Sequence, residues 1–114
     1  MTAAKLKSAL WVQAVVRRCD LVAVPAIVLR KGDPDSGAIL VKLLARDRTC
    51  TVLTQTRTLD GELVLMRGTG PAPVDEATAD AYIERQRSRD PDLWVIEIEG
   101  SAPDGRLPFA ERIV

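Results

Sequence analysis

Two glutamates at the end of an apolar stretch are the first residues whose spacing could support chemistry. They are Glu97 and Glu99, in the segment LWVIEIE. Residues two apart in a strand share a face, so both carboxylates lie on one side of the sheet and Trp94 on the other. Paired carboxylates can share a proton or hold a divalent cation. The alternative is that they face water or the basic side chains of a neighbouring strand. The sequence favours this alternative, because nothing else in it completes a metal cage.

A second acidic pair lies in the segment GDPDSG, where Asp33 and Asp35 flank a proline. Such a loop could bind an anion through its backbone amides or a cation through the two carboxylates. An EF-hand needs further ligands and a closing glutamate at fixed spacing, and these are missing. Glycine, proline and aspartate together are typical of a plain turn between two strands, and we favour that interpretation.

Basic residues are concentrated in the first half of the chain. The first fifty residues contain nine basic and four acidic residues, while the chain as a whole has a net charge of zero. A nucleic-acid site would draw on these candidates: Arg17, Arg18, Arg30, Lys31, Lys42, Arg46 and Arg48. Aromatic residues make up only 4% of the chain, which leaves no stacking platform, and no recognition motif is present. A solvated basic rim is therefore the favoured interpretation.

The residue types that most often perform catalysis are scarce. The chain has no histidine, which removes the commonest general base and metal ligand and excludes serine–histidine or cysteine–histidine catalysis by this chain alone. Cys19 and Cys50 form no CxxC motif and are typical of buried small apolar residues. We expect no cofactor, no catalytic residue and no enzymatic activity, and we leave the enzyme or metal-binding alternative open on the four acidic candidates.

Two helices and five strands position these residues. The segment KLKSALWVQAVVRRC, residues 5–19, has a helical apolar stripe, and a second helix runs from Val74 to about Ser88 with Asp75 as its N-cap. Five further segments are typical of strands: AIVLR, AILVKLLA, CTVLTQTR, ELVLMR and LWVIEIE. The GDPDSG turn joins the first two strands in the clearest hairpin of the chain.

Short turns between consecutive strands predict an α+β fold with a mostly antiparallel sheet of about five strands. The runs AIVL, AILV and LWVI are continuously apolar, which is typical of strands buried on both faces. Two arrangements satisfy this pattern. One helix covers each face in a three-layer α/β/α arrangement, or a second subunit covers one face. We therefore expect a homodimer.

Three segments together resemble a family of short bacterial proteins known as domain of unknown function 1491. They are KLKSALWVQAVVRRC, VPAIVLRKGDPDSGAILVK and DAYIERQRSRDPDLWVIEIE, and the resemblance extends from about Lys5 to Glu99. It implies a soluble bacterial cytoplasmic protein and carries over no catalytic residue.

The length and hydropathy of the chain predict its domain organisation and its location in the cell. A chain of 114 residues predicts one domain, 1–114, in which residues 100–114 form a loosely docked C-terminal arm. No apolar run approaches the roughly 20 residues that span a bilayer, and the N-terminus is not typical of a signal peptide, so we expect the cytoplasm and no membrane partner. The leading hypothesis is a non-enzymatic protein-interaction or regulatory domain whose protein partner is unknown.

Overall fold

The computed structural model describes residues 7–100, 107–109 and 111–114. These residues form two helices and seven strands, so the α+β class is confirmed, with more strands than predicted. The elements in chain order are α1 Ser8–Leu21, β1 Ala26–Arg30, β2 Ile39–Leu44, β3 Thr49–Arg57, β4 Leu63–Arg67, β5 Val74–Asp75, α2 Glu76–Arg89, β6 Trp94–Glu99 and β7 Arg112–Ile113. The side chain of Asp75 accepts a hydrogen bond from the Thr78 amide and so caps α2, as predicted.

The sheet is mixed. Its strand order is β1-β6-β2-β3-β4-β7, and β5 pairs with β3 beside this path. The pairs β2–β6 and β4–β7 are parallel, whereas β1–β6, β2–β3, β3–β4 and β3–β5 are antiparallel. The meander from β2 to β4 follows the predicted pattern, because short turns join antiparallel neighbours. The parallel pairs come from strands that return to the sheet after long connections.

The predicted hairpin between β1 and β2 is wrong. β6 lies between these strands and pairs with both, so the GDPDSG loop crosses the start of β6 instead of closing a two-strand turn. The Asp33 amide donates to the Asp92 carbonyl, and the Trp94 indole donates to the Asp33 carbonyl. The backbone at Gly32 packs so closely on this segment that a Cβ atom there would lie 2.7 Å from Trp94 Cδ1. These contacts fix the loop across the end of the inserted strand.

α1 covers one face of the sheet. Its buried side chains include Trp11, Val12, Val15 and Cys19. They pack on alternate residues of the central strands, among them Val41, Leu53, Leu65, Ile96 and Ile98. Burial of this kind is the main stabilising contribution in a domain of this size.

α2 covers the opposite face. The alternate strand residues Leu40, Leu44, Cys50, Val52, Leu93 and Val95 form a second cluster with Ala79 of α2. Both faces of the central strands are therefore covered within one chain, in the three-layer arrangement, which explains the apolar runs AILV and LWVI. The same prediction is wrong for AIVL in β1, because Ile27 and Leu29 are exposed at the edge of the sheet.

The described end of the chain contacts α1 and the sheet. Residues Arg112–Ile113 form β7 beside β4, and the Phe109 ring stacks on Trp11 with ring centroids 6.3 Å apart. The predicted arm begins at residue 100, and its residues 101–106 and 110 lie outside the described residues.

Candidate functional site

β1 forms an open edge of the sheet. It pairs with β6 on one side, and no described strand pairs with its other side. The side chains of Ile27 and Leu29 are 55% and 50% exposed, although both are large and apolar. An open edge with exposed apolar side chains is a surface on which another chain can add a strand.

The backbone of β1 directs part of its polar groups outward. The Pro25 carbonyl accepts from the Glu99 amide of β6 at 2.9 Å. The alternation of an antiparallel ladder then turns the peptide groups of Ala26 and Val28 towards the open side. The register with β6 shifts between Val28 and Arg30, a bulge that ends the regular edge. A partner strand therefore finds a short ladder, which limits pairing with unrelated chains.

A groove runs beside this edge, between α1 and β1. Its volume is about 1010 Å³. Apolar residues from both elements form its walls, including Val12 and Val16 of α1 and Ala26 and Val28 of β1. We call this feature the α1–β1 groove. Clefts of this size, with a few polar groups at the rim, are typical of binding sites.

Several of the predicted basic candidates lie around the groove and the β1 edge. Arg17 and Lys31 line the groove, together with the acidic Asp20. Arg46 and Arg48 line a second pocket of about 310 Å³ at the start of β1, together with Glu99. Of the remaining three, Arg30 donates to the Pro91 carbonyl and Arg18 donates to the Pro108 carbonyl. Lys42 is buried, so it does not belong to a solvated basic rim.

The structure does not bring the four acidic candidates together. Asp33 and Asp35 lie in the loop at the start of β6, whereas Glu97 and Glu99 lie at its end. The Asp33 carboxylate accepts from the amides of Ser36 and Asp35, and the Ser36 amide is the main cause that lowers the Asp33 pKa. Its hydrogen-bonding capacity is thus used within its own turn.

Glu97 is paired with a buried lysine of the neighbouring strand. Lys42 lies directly opposite it on β2, and the Lys42 Nζ atom is 3.2 Å from Glu97 Oε1. Glu76 and Asp80 of α2 each place a carboxylate oxygen 2.8 Å from the same atom. Only 4% of the Lys42 side chain is exposed. We call Lys42, Glu76, Asp80 and Glu97 the Lys42 cluster.

The Lys42 cluster holds a charged ammonium group. Burial lowers the Lys42 pKa, but hydrogen bonds to Asp80, Glu76 and Glu97 together outweigh it, and the net shift is upward. Glu76 also accepts from Arg48 at 2.8 Å, and its pKa is lowered mainly by the hydrogen bond from Lys42. A lysine that stays protonated is a poor nucleophile, so this arrangement favours an ion-pair network over covalent chemistry.

Nearly the whole chain is similar to known proteins. The sequence profile of the family described as "Protein of unknown function (DUF1491)" matches residues 6–109. The chain belongs to the DUF1491 family. This confirms the resemblance drawn from the sequence.

Three solved structures have the same fold, and two of them are of DUF1491 family proteins. A crystal structure of a DUF1491 family protein from Caulobacter crescentus CB15 is 37% identical, with 96% of this chain and 100% of that chain covered and a TM-score of 0.84. An NMR structure of a DUF1491 family protein from the same organism is also 37% identical, with 98% and 99% covered and a TM-score of 0.82. The solution structure of protein Atu0922 from A. tumefaciens is 28% identical, with 96% and 98% covered and a TM-score of 0.76. No curated protein matches the chain.

Within residues 7–100, 107–109 and 111–114, no group of three or more cysteine, aspartate or glutamate side chains is arranged to hold a metal ion. No helix in the described part of the chain has the length and apolar character needed to cross a membrane. Both cysteines are buried, on opposite faces of the sheet. Cys19 belongs to the inner side of α1, and Cys50 lies on β3 beneath α2.

The sequence favoured water or a basic cross-strand neighbour for Glu97, and Lys42 is such a neighbour. The complete Lys42 cluster was not predicted, although two signals for it are present. A lysine interrupts the apolar run ILVKLL, which indicates a charged group pointing into a covered face. Glu76 and Asp80 are four residues apart and share one side of α2. What the sequence could not supply is the parallel pairing of β2 with β6, which places Glu97 opposite the lysine.

Proposed function

We propose that this chain is a non-enzymatic protein-interaction domain that binds an extended, acidic segment of a partner protein along β1. The observation that carries the proposal is the open edge of β1 beside the apolar α1–β1 groove. We place this function in the bacterial cytoplasm, as the sequence features predict.

The shape of the surface favours an extended segment. The outward peptide groups of Ala26 and Val28 offer hydrogen bonds to a strand, while the groove accepts side chains from one face of that strand. The bulge after Val28 keeps the ladder short, so much of the affinity has to come from apolar contacts in the groove.

The charge around the surface favours acidic side chains in the partner. Arg17 and Lys31 line the groove against one acidic residue, Asp20. Arg46 adds a further positive charge at the start of β1. Complementary charge of this kind accelerates association and excludes partners of the same sign.

The chemistry of the described residues supports a non-enzymatic role. The buried lysine is protonated and held by three carboxylates, and the chain has no histidine to serve as a base near neutral pH. Neither observation concerns β1, so a binding role does not depend on the Lys42 cluster.

The homodimer stays a prediction, and the open edge of β1, not an uncovered sheet face, is now the reason for it. The apolar runs of β2 and β6 do not require a second subunit, because α1 and α2 cover the two faces. A second copy would instead compete for the open edge of β1. Sedimentation at increasing protein concentration tests whether a second copy of the chain binds the β1 edge. A dimer that a substitution at Ile27 disrupts would contradict the peptide proposal and favour the homodimer.

Selection of a random displayed peptide library on the immobilised chain tests the proposed function. We expect enriched peptides that combine apolar and acidic residues. The substitution Ile27→Glu should weaken their binding at least tenfold, because it places a charge on the apolar edge. Leu59→Glu is the control, since Leu59 is an exposed apolar residue in the turn between β3 and β4, away from the β1 edge.

Reversing the charge of a groove residue tests whether the groove prefers acidic peptides. Lys31→Glu should weaken the same peptides about two- to fivefold, whereas Arg85→Glu on α2, with the same change in net charge, should have no effect. Peptides without an acidic preference, or binding that tolerates Ile27→Glu, would refute the proposal. Binding of nucleic acid that disappears at high salt would favour the basic-rim alternative instead.

A further inference from the structure

The two helices are held on the sheet by different forces. α1 and α2 both have 14 residues, but five residues of α1 are buried and only Ala79 of α2 is. Tyr82 and Ile83 add partly buried apolar contacts, and the Tyr82 hydroxyl lies against the backbone of Gly68. Segments with few buried apolar contacts are the ones that open locally while the rest of a protein stays folded.

Charge contributes the remaining attachment of α2. Glu76 in its first turn and Asp80 one turn later both bind the Lys42 ammonium at 2.8 Å. The other charged and titratable groups around this ammonium are Glu97 on β6, Cys50 on β3, and Arg48, which acts through Glu76. The ion pairs between α2 and the neighbouring strands therefore depend mainly on one cation, Lys42, in the middle of the sheet.

The surface beneath α2 is apolar. It consists of Leu40, Leu44, Cys50, Val52, Leu93 and Val95, all of which are buried. The two ends of the helix differ. Its N-terminus follows β5 directly, because Asp75 is both the last residue of β5 and the N-cap, and β5 pairs with β3, so this end stays attached to the sheet. Its C-terminus continues into the Asp90–Asp92 turn, which can absorb a change of backbone angles while the helix pivots about its attached end.

We propose that α2 is a lid, held shut by the Lys42 cluster, that lifts as a unit and exposes the apolar sheet face beneath it while α1 and the sheet remain folded. The α1–β1 groove lies outside this device, whereas Ile27 on the β1 edge lies directly opposite Glu97 of the Lys42 cluster. Acid that protonates Glu76 weakens this attachment, and loss of the Lys42 charge opens the lid.

The two cysteines report on the two helices separately. Cys50 is a β3 residue that lies under α2, and Cys19 belongs to the buried face of α1; burial raises the pKa of both thiols. The ratio of their reaction rates with a small disulfide reagent, measured by peptide mass spectrometry, therefore compares opening of α2 with opening of α1. Global unfolding exposes both cysteines together and brings this ratio to about one.

Lys42→Met is the decisive variant. We expect it to raise the Cys50-to-Cys19 ratio roughly a hundredfold, the factor that corresponds to breaking a buried ion pair, because Cys19 near the end of α1 is reached by local opening of that helix, which leaves the Lys42 cluster intact. Removing Lys42 also removes a charge that lowers the Cys50 pKa, which by itself would slow the reaction of Cys50. An acceleration is therefore not an effect of thiol ionisation. Arg85→Met, an exposed charge deletion on the same helix, should leave the ratio unchanged.

Two results would overturn the proposal. One is a Lys42→Met protein that remains folded with a ratio like that of the wild type. The other is equal acceleration of both cysteines in a protein that remains folded, which would mean that the helices open together. If Lys42→Met does not fold, Asp80→Asn decides, because it removes only a half-exposed partner. We expect Asp80→Asn to raise the ratio about two- to fivefold, and an unchanged ratio would refute the lid.

Discussion

Replacing Lys42 by methionine should destabilise the whole fold, and the structure indicates by how much. Methionine keeps the unbranched apolar stem between the strands but removes the ammonium group. Three carboxylates that converge on that group within 3.2 Å then lose their common partner. A buried charge left without its counter-charge is among the most destabilising changes a substitution can make.

The exposure of each partner sets the magnitude. The Asp80 and Glu76 side chains are 57% and 32% exposed, so water screens much of their interaction with the lysine. Glu97 is only 17% exposed and cannot recover its hydration without moving its strand. Breaking a buried pair costs about 3–5 kcal/mol, and the two exposed partners favour the lower end. We expect a loss of about 3 kcal/mol.

Urea unfolding at neutral pH measures this loss. With a slope of about 1.5 kcal/mol per molar, the midpoint should fall by roughly 2 M. Lys31→Met is the matched control, because Lys31 is an exposed lysine. Its free energy of unfolding should change by less than about 0.5 kcal/mol. The double variant Lys42→Met with Glu97→Met should recover about half of the loss, since apolar pairs of similar volume can replace a buried ion pair.

A loss below about 1 kcal/mol for Lys42→Met would refute this reasoning, because it would show that the three carboxylates rehydrate freely. A double variant no more stable than Lys42→Met would also contradict it. In that case Glu76 and Asp80, and not the buried Glu97, would account for the interaction.

Three further predictions concern pH and backbone geometry. The Glu76 pKa is lowered on folding and the Lys42 pKa is raised, so stability measured by thermal unfolding should fall below about pH 4.3 as the carboxylate protonates, and again above about pH 10.4 as the lysine deprotonates. A flat profile across both limits would contradict the pKa shifts. Ala23 has a positive φ of 57° after α1, so Ala23→Gly should stabilise the protein by about 0.5–1 kcal/mol in urea unfolding, and a destabilised variant would show that this angle is not a cost. Gly32→Ala should cost about 2–3 kcal/mol in the same assay, because its Cβ would collide with the Asp92 carbonyl oxygen, and a neutral result would mean that the loop moves freely.

Local features of the fold were predictable from the sequence because neighbouring residues determine them. The alternation in LWVIEIE correctly placed Trp94, Ile96 and Ile98 on one face and Val95 on the other. Asp75 was recognisable as an N-cap because its carboxylate meets an amide only three residues away. Both predictions rest on periodicity or short-range hydrogen bonding.

Strand order was not predictable, because it depends on a strand that arrives late in the chain. The GDPDSG loop has the composition of a hairpin turn, yet β6 inserts between β1 and β2 after a connection of some fifty residues. The competing forces are a local turn preference and the burial of β6 on both faces, and burial of apolar area is the larger contribution. The same insertion brings Glu97 beside Lys42, which is why the buried cluster escaped prediction.

The contrast between α1 and α2 links the two proposals. α1 is fixed by apolar contacts along its length, so the groove that it forms with β1 keeps its shape and can select a partner by fit. α2 rests on a buried cation and few apolar contacts, so its attachment responds to charge. Since the helices lie on opposite faces, α2 can lift without altering the β1 edge. The sheet therefore separates a rigid groove from a charge-sensitive lid. Lys31→Glu tests the groove without a change near the Lys42 cluster, whereas Ile27 lies opposite Glu97, so Ile27→Glu needs the Cys50-to-Cys19 ratio as its control.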